Sequence, residues 1–435
     1  MDKLLVHGKG SLKGSINISG SKNASLPILA ATLLTDDASI VRRVPDVSDT
    51  NYMLQILRAL GAEVERSSGT VRVEPGAILP EAPYDLVRKM RASICVMGPI
   101  MARVGHAKIS LPGGCVIGDR PVDLHLKAMQ GLGAEVVMEG GDIILSAPKG
   151  LIGAEIDMRG KYGPTVLGTD NLMMAAVLAK GTTVIDSAAS EPEVVDLANF
   201  LISMGARIEG AGTRRIIIEG VDELKGVEHT VIPDRIEAGT FMVAAAMVGE
   251  GVTLKRVRKE HLEAASGVLL ECGHSVEFNE SGTEVRIFPG EAPQGCNIST
   301  APYPGFPTDM QAQFTALFAI TPGLSVVEDT IFPQRFMHCS EMKRMGADIK
   351  VDGGRAVVHG VASLSAAPVM ASDLRASAAL VLAALAAEGS TEINRLYHID
   401  RGYEHIDEKL LQLGGAVERV PASPLGSSLA AGGLL

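Results

Sequence analysis

Cys115 stands in the stretch LPGGCVIGDRPVDLH (111–125), with Gly113 and Gly114 before it, Gly118 after it, Arg120 five residues on, and Asp123 and His125 beyond. Glycines leave the backbone permissive, and a guanidinium nearby favours the thiolate, so this thiol is suited to work as a proton donor or as a nucleophile. Taken alone, Cys115 is better read as a small apolar space-filler, and His125 as an ordinary packing residue of the helix that follows. Gly113 and Gly118 have the glycine spacing of a phosphate-binding P-loop, but Asp119 and Arg120 stand where its lysine and hydroxyl belong. The chain also lacks a G-x-S-x-G elbow, an H-E-x-x-H pair and a G-x-G-x-x-G turn that opens a helix after a strand.

A second group of chemically able residues recurs along the chain, each at the start of a run too apolar to lie on a surface. The runs are KNASLPILAATLL, RASICVMGPIMA, GTDNLMMAAVLA, DRIEAGTFMVAAAMV, TDMQAQFTALFAI and DLRASAALVLAALAA. Their first turns hold Lys22 with Asn23, Arg91, Thr165 to Asp170, Asp234 with Arg235, Thr308 with Asp309, and Asp373 with Arg375. Helix N-termini carry free N–H groups and partial positive charge, so a cation there opposes the helix but completes an anion site. Asp309 and Asp373 are also N-caps by residue type. Desolvated cations at equivalent points of buried helices require a bound anion or a carboxylate.

These runs alternate with a second phrase: an amphipathic helix, Leu-Gly-Ala or a relative, then two alternating strands about a turn. Its copies are LRALGAEVERSSGTVRVE, MQGLGAEVVMEGGDIILS, LISMGARIEGAGTRRIIIEG, LLECGHSVEFNESGTEVRIF, MKRMGADIKVDGGRAVVHG and LQLGGAVERV, roughly seventy residues apart. The unit is strand, helix, strand, helix, hairpin, with one helix buried and one half exposed. Six such units in 435 residues predict an α/β protein of two domains with three repeats each.

The net charge of −11 excludes a phosphate-backbone binder, so no nucleic-acid partner is expected and any anionic ligand must be held by local cations. The five cysteines are widely spaced and form no C-x-x-C pair, which predicts reduced thiols in a cytoplasmic protein, with neither a disulfide framework nor a metal site. No apolar run reaches membrane-spanning length and the N-terminus lacks a signal-peptide layout, so no membrane association is expected. The small-residue stretch ASPLGSSLAAGGLL suggests a flexible tail over 421–435.

The phrases SGSKNASLPILAA, MRASICVMGP, LPGGCVIGDRPVDLH, PDRIEAGTF, FPTDMQAQF, RFMHCSEMKRMGA, DLRASAALVLAAL and YHIDRGYEHID closely resemble the enolpyruvyl transferase family, in particular its members that use UDP-N-acetylglucosamine as acceptor. The resemblance runs from the first strand to about residue 420. It implies a two-domain inverted (inside-out) α/β barrel: residues 22–232 forming one domain with the Cys115 loop, and 1–21 with 233–420 forming the other. The sixth repeat lacks its hairpin's second strand, which the N-terminal segment KLLVHGKGSLKGSINI would supply.

The implied reaction moves the enolpyruvyl group of phosphoenolpyruvate onto the 3′-hydroxyl of UDP-N-acetylglucosamine, through a tetrahedral ketal, with release of phosphate, as the first committed step of peptidoglycan precursor synthesis. No cofactor or metal is implied. The resemblance assigns Cys115, on a mobile loop, to protonation of C3 and to a covalent phospholactoyl adduct. It assigns Lys22, Arg120 and Arg401 to the phosphoenolpyruvate, with Arg335 and Arg375 completing the anion site, and Asp309 to the sugar hydroxyl as base or shuttle. Asn23 and Arg91 would contact sugar and diphosphate; Arg120, Pro121, Val122, Asp123 and Leu124 would hold uridine, completed by Thr165, Val166 and Ile331. Two departures stand out: Thr165-Val166-Leu167-Gly168-Thr169 replaces a more usual Ser-Val-Gly-Ala-Thr, and Cys95 replaces a tryptophan found in some relatives. A shikimate 3-phosphate enolpyruvyl transferase and a non-catalytic UDP-sugar-binding paralogue are the alternatives.

Overall fold

A computed structural model describes residues 2–111 and 122–421. Its twelve longer helices, in chain order, are α1 (Lys22–Ala31), α2 (Ser48–Ala59), α3 (Met97–Val104), α4 (Asp123–Gly131), α5 (Val166–Ala176), α6 (Pro192–Ser203), α7 (Arg235–Val248), α8 (Glu263–Glu271), α9 (Gln311–Ile320), α10 (Met337–Arg344), α11 (Leu374–Ala386) and α12 (Ile406–Gln412). The odd-numbered helices are the apolar runs. α1, α5, α7, α9 and α11 are buried over nearly their whole length, as a helix without a polar face must be. The even-numbered helices carry the repeat glycine just past their C-termini. Gly61, Gly133, Gly205, Gly273, Gly346 and Gly414 all hold φ between 86° and 108°, a left-handed conformation that a side chain resists.

Six four-stranded sheets share one strand order. In the third repeat, Glu155–Asp157 runs parallel to Thr182–Asp186, which pairs antiparallel with Arg215–Glu219, itself the partner of Arg207–Glu209. The sixth sheet takes its missing hairpin strand from the N-terminus: Lys3–His7 lies between Ser390–Asn394 and Ala416–Val420, with Val6 opposite Val417. The first sheet is completed by Glu228–Thr230 beside Ser39–Arg42, and the fourth by Leu12–Asn17 beside Gly249–Lys255. The chain therefore crosses between the two halves twice, at 18–21 and 231–234, where Gly20 bridges Pro233 and Ser21 N–H donates to the Ile232 carbonyl at 2.8 Å. The buried apolar residues fall into two clusters, one from Ala24 to Ile232 and one joining Leu4–Ile18 to Ile236–Val417. The inner helices and sheets of three repeats enclose each cluster, giving a two-domain inside-out α/β fold.

One expectation fails. Cys272 and Cys296, read from sequence as reduced thiols, are joined in a disulfide. Folding returns the chain to the end of α8, where the Gln294 N–H donates to the Cys272 carbonyl, an adjacency that a spacing of 24 residues does not reveal. Cys95 and Cys339 are free and buried.

Candidate active site

Three of the cations expected at the helix starts, Lys22, Arg235 and Arg375, each meet a buried or half-buried carboxylate. Lys22, the first residue of α1, places its ammonium 3.3 Å from the Asp49 carboxylate in the first turn of α2. Arg235, first in α7, grips Glu193 with Nε and a terminal nitrogen at 2.9 and 3.2 Å. Arg375, second in α11 and only 2% exposed, donates from Nε and a terminal nitrogen to one oxygen of Asp309 at 3.1 and 2.9 Å. Arg335 donates to the other oxygen of Asp309 at 2.8 Å and to the Thr308 hydroxyl at 3.1 Å.

Asp309 is not the N-cap that its position suggested. It lies in a short 3₁₀ turn, Thr308–Met310, before α9, and both its oxygens are taken by arginines. Burial would raise its carboxyl, but Arg375 and Arg335, with Lys22 nearby, hold it well below the usual carboxylate range. True caps stand elsewhere: Asp234 accepts from the N–H groups of Ile236 and Glu237, and Asp373 from those of Arg375 and Ala376. Arg375 also lies 5.3 Å from the centre of the buried Tyr403 ring, whose hydroxyl meets Thr240 and Gln313.

Lys22 is held below the ordinary lysine value, first by burial and then by Arg375 and Arg401, against the pull of Asp49 and Asp309. Arg401 donates Nε to Asp49 at 3.0 Å. Lys22, Asp49, Asp309, Arg335, Arg375 and Arg401 therefore form one electrostatic cluster drawn from both halves of the chain. Such clustered cations suit a ligand carrying both a phosphate and a carboxylate.

The remaining expected residues stand mostly at the starts of other elements. Asn23 is half-buried in the first turn of α1, and Arg91 opens a 3₁₀ segment, Arg91–Val96, that leads into α3. Val122 precedes α4, Asp123 and Leu124 open it, and His125 is buried with its ring nitrogen 2.8 Å from the Asn171 amide. Thr165 caps α5 by accepting from the Gly168 N–H at 3.2 Å, and Val166 is that helix's first residue. The glycine displaced in this segment has a local cause. A Cβ at Gly168 would come 2.4 Å from Thr165 Cγ2 and 3.0 Å from Met158 Cε. Ile331 donates its N–H to Asp329, which also accepts from Thr300 and Thr308. Cys115, Arg120 and Pro121 lie outside the described residues.

Sequence reasoning missed Asp49 and Glu193, the counter-charges of two helix-start cations. A further buried acid stands within α5 itself. Asp170, 1% exposed, has its carboxyl held well above the usual range by burial and by Glu191 and Glu193. Asp49 and Glu193 lie in first turns of half-exposed helices, where acids are commonplace. Among the described residues no cluster suits a metal ion, and no helix is long and apolar enough to cross a membrane.

The chain belongs to the EPSP synthase (3-phosphoshikimate 1-carboxyvinyltransferase) family, whose model matches residues 6–410. Within that class its similar relatives bear a narrower name. UDP-N-acetylglucosamine 1-carboxyvinyltransferase from Akkermansia muciniphila is 72% identical over 97% of this chain and 99% of its own length, and that from Methylacidiphilum infernorum is 56% identical over the same shares. Among solved structures, the enolpyruvyl transferase NikO from Streptomyces tendae superposes with a TM-score of 0.87 at 26% identity, covering 97% of this chain and 99% of its own. EPSP synthase from Acinetobacter baumannii, at 18% identity and a TM-score of 0.74 over 97% of this chain and all of its own, shares the fold.

Proposed function

We propose that this protein transfers the enolpyruvyl group of phosphoenolpyruvate to the 3′-hydroxyl of UDP-N-acetylglucosamine and releases phosphate, the first step of peptidoglycan precursor synthesis. The observation that carries the reading is the cluster of Lys22, Arg335, Arg375 and Arg401 around Asp49 and Asp309, in a chain 72% identical to a relative of that name. Identity of this order over nearly the full chain favours the UDP-sugar over shikimate 3-phosphate. Retention of every charged group in the cluster favours an enzyme over a non-catalytic paralogue.

The chemistry follows from the charges. Phosphoenolpyruvate brings a carboxylate and a phosphate to Lys22, Arg401 and Arg120, and proton delivery from the Cys115 thiol to C3 makes C2 electrophilic. The sugar 3′-hydroxyl adds to C2 while its proton passes toward Asp309, giving a tetrahedral ketal. Loss of the C3 proton and of the phosphate C–O bond then yields the enol ether and inorganic phosphate. Asp309 is a weak base at rest because two arginines share its charge, so the proton it receives must be handed on as those pairs re-form. Asn23, Arg91, Val122, Asp123, Leu124, Thr165, Val166 and Ile331, with Arg120 and Pro121, hold the sugar, diphosphate and uridine.

The two apolar clusters support a division into domains of 22–232 and of 1–21 with 233–420, with the site where they meet. The phosphorylated substrates support a cytoplasmic location. Phosphate release from phosphoenolpyruvate, measured with each acceptor, tests the whole reading. Release is expected with UDP-N-acetylglucosamine and not with shikimate 3-phosphate; silence with the UDP-sugar sinks it.

A further inference from the structure

The double crossing of the chain carries a second set of cations that the reaction does not use. Beside residues 18–21 and 231–234 opens a cleft of about 480 Å³ whose polar lining includes Asn17, Arg43, Lys255, Arg256, Arg258 and Glu284. It shares no lining residue with the charged cluster around Asp49 and Asp309. Arg43 follows strand Ser39–Arg42 of the first half, whereas Lys255 ends strand Gly249–Lys255 of the second and leads into Arg256 and Arg258. The two halves thus contribute cations to one cavity.

In a chain of net charge −11, four cations here share a lining with one acid, Glu284. Among the described residues none of the four closes a salt bridge, whereas Arg42, Arg215, Arg355 and Arg419 elsewhere do. Arg43 is fixed by donating to the Ile18 carbonyl on the crossing segment at 3.1 Å. Burial, and then Arg256 and Arg258, weaken its hold on its proton, against the smaller opposing pull of Glu237. Guanidinium forks match phosphate oxygens in pairs, and the cavity has the size of small-ligand sites, larger than a single phosphate requires.

We infer that this cleft binds a polyvalent phosphate anion of the diphosphate or triphosphate class, which ties the two halves together at their crossing. The ligand contacts Arg43 on one side and Arg256 and Arg258 on the other. Occupancy therefore depends on both halves being in register, and a bound anion restrains their relative motion.

The probe is inorganic pyrophosphate, titrated calorimetrically into the full chain at about 0.1 M salt, where weak unspecific charge attraction is screened. Saturable binding is expected. Arg256→Asn/Arg258→Ser should weaken it at least tenfold, Arg43→Asn at least fivefold, and Arg401→Ala, which alters the substrate site, less than twofold. Asn is chosen at 43 and 256 because both residues hold positive φ, which Asn tolerates. Arg256→Lys/Arg258→Lys, which keeps charge and fold, should retain binding within threefold. Absence of saturable binding, wild-type affinity in Arg256→Asn/Arg258→Ser, or a loss confined to Arg401→Ala overturns the site. Wild-type affinity in Arg43→Asn overturns the bridge between halves.

Discussion

Arg401 and Asp49 meet across the junction of the two halves, Nε to carboxylate oxygen at 3.0 Å, and the same carboxylate receives the Lys22 ammonium at 3.3 Å. Asp49 thus holds two of the cations that we assign to phosphoenolpyruvate. Its charge stands in for the substrate's. This gives a buried acid outside the reaction a definite role as a positioning residue.

Asp49→Asn removes that stand-in charge and leaves Lys22 and Arg401 beside Arg375 without compensation. Losing one partner of a buried pair costs about 3 kcal/mol, less for the share carried by the partly exposed Arg401. Phosphoenolpyruvate should restore what Asp49 supplied. The variant is therefore expected to melt lower than wild type alone, and to show the larger thermal upshift when phosphoenolpyruvate is added. An upshift equal to or smaller than that of wild type removes the role given to Asp49.

Lys22→Met separates stability from function. Because Lys22 is held below the ordinary lysine value, the folded chain binds its proton less tightly than the unfolded chain does, and the charged group lowers stability at neutral pH. That deficit is complete below the native pKa and vanishes as pH rises through it toward the unfolded value of about 10.4. Lys22→Met, with Arg401 left to balance Asp49, should raise the melting temperature at pH 7. The gain should shrink by pH 10, while turnover falls at least a hundredfold. A lower melting temperature at pH 7 contradicts the account.

Asp309→Asn should have the opposite pH signature. The depressed carboxyl adds stability that is fully present above the unfolded value of about 3.9 and is lost as pH falls through the native one. Urea titrations should show wild type more stable than the variant by about 3 kcal/mol at pH 7, with the gap closing below pH 4. Turnover should drop at least a hundredfold while UDP-N-acetylglucosamine binding persists, as expected for loss of a proton-transfer group. A stability gap that does not change with pH refutes the charge assignment, and full turnover refutes the chemical one.

The thiol assignment is tested by alkylation. The epoxide fosfomycin should add once to the chain, on Cys115, and abolish phosphate release. Cys95 and Cys339 should be spared because burial raises both thiols, Cys339 to about 12, leaving almost no thiolate. Peptide mass analysis that finds no adduct, or finds it on Cys339, counts against a working thiol at 115.

Much of this architecture is legible in the sequence because its signals are local. The six repeat glycines announce helix ends that only a left-handed residue can make, and alternation on either side of each turn announces the hairpins. The helix-start cations are legible for the same reason. Their partners are not: Asp49 lies 352 positions from Arg401, and in VSDTN it looks like any acid of a helix's first turn. Asp309 misleads in the other direction, since its type and place suit a cap while its arginines arrive from 26 and 66 residues away. What the sequence hides is which distant elements the fold brings together.

Gly168 shows the same long-range logic at short range and gives a test by rescue. An alanine there would gain helix propensity, by about 0.5–1 kcal/mol, but its Cβ would press on the Thr165 Cγ2 methyl at 2.4 Å and on Met158 at 3.0 Å. Overpacking of this kind costs about 1–3 kcal/mol, so Gly168→Ala should destabilise the chain and disturb the cap that Thr165 places on α5. Thr165→Ser removes the methyl and keeps the hydroxyl that accepts from the residue 168 N–H. The double variant Thr165→Ser/Gly168→Ala should recover most of the lost stability, and with it the KM for UDP-N-acetylglucosamine, if this segment holds the uridine. Equal instability in the single and double variants shows that the methyl contact is not the reason for the glycine. Recovery of stability without recovery of KM removes Thr165 from the nucleotide site.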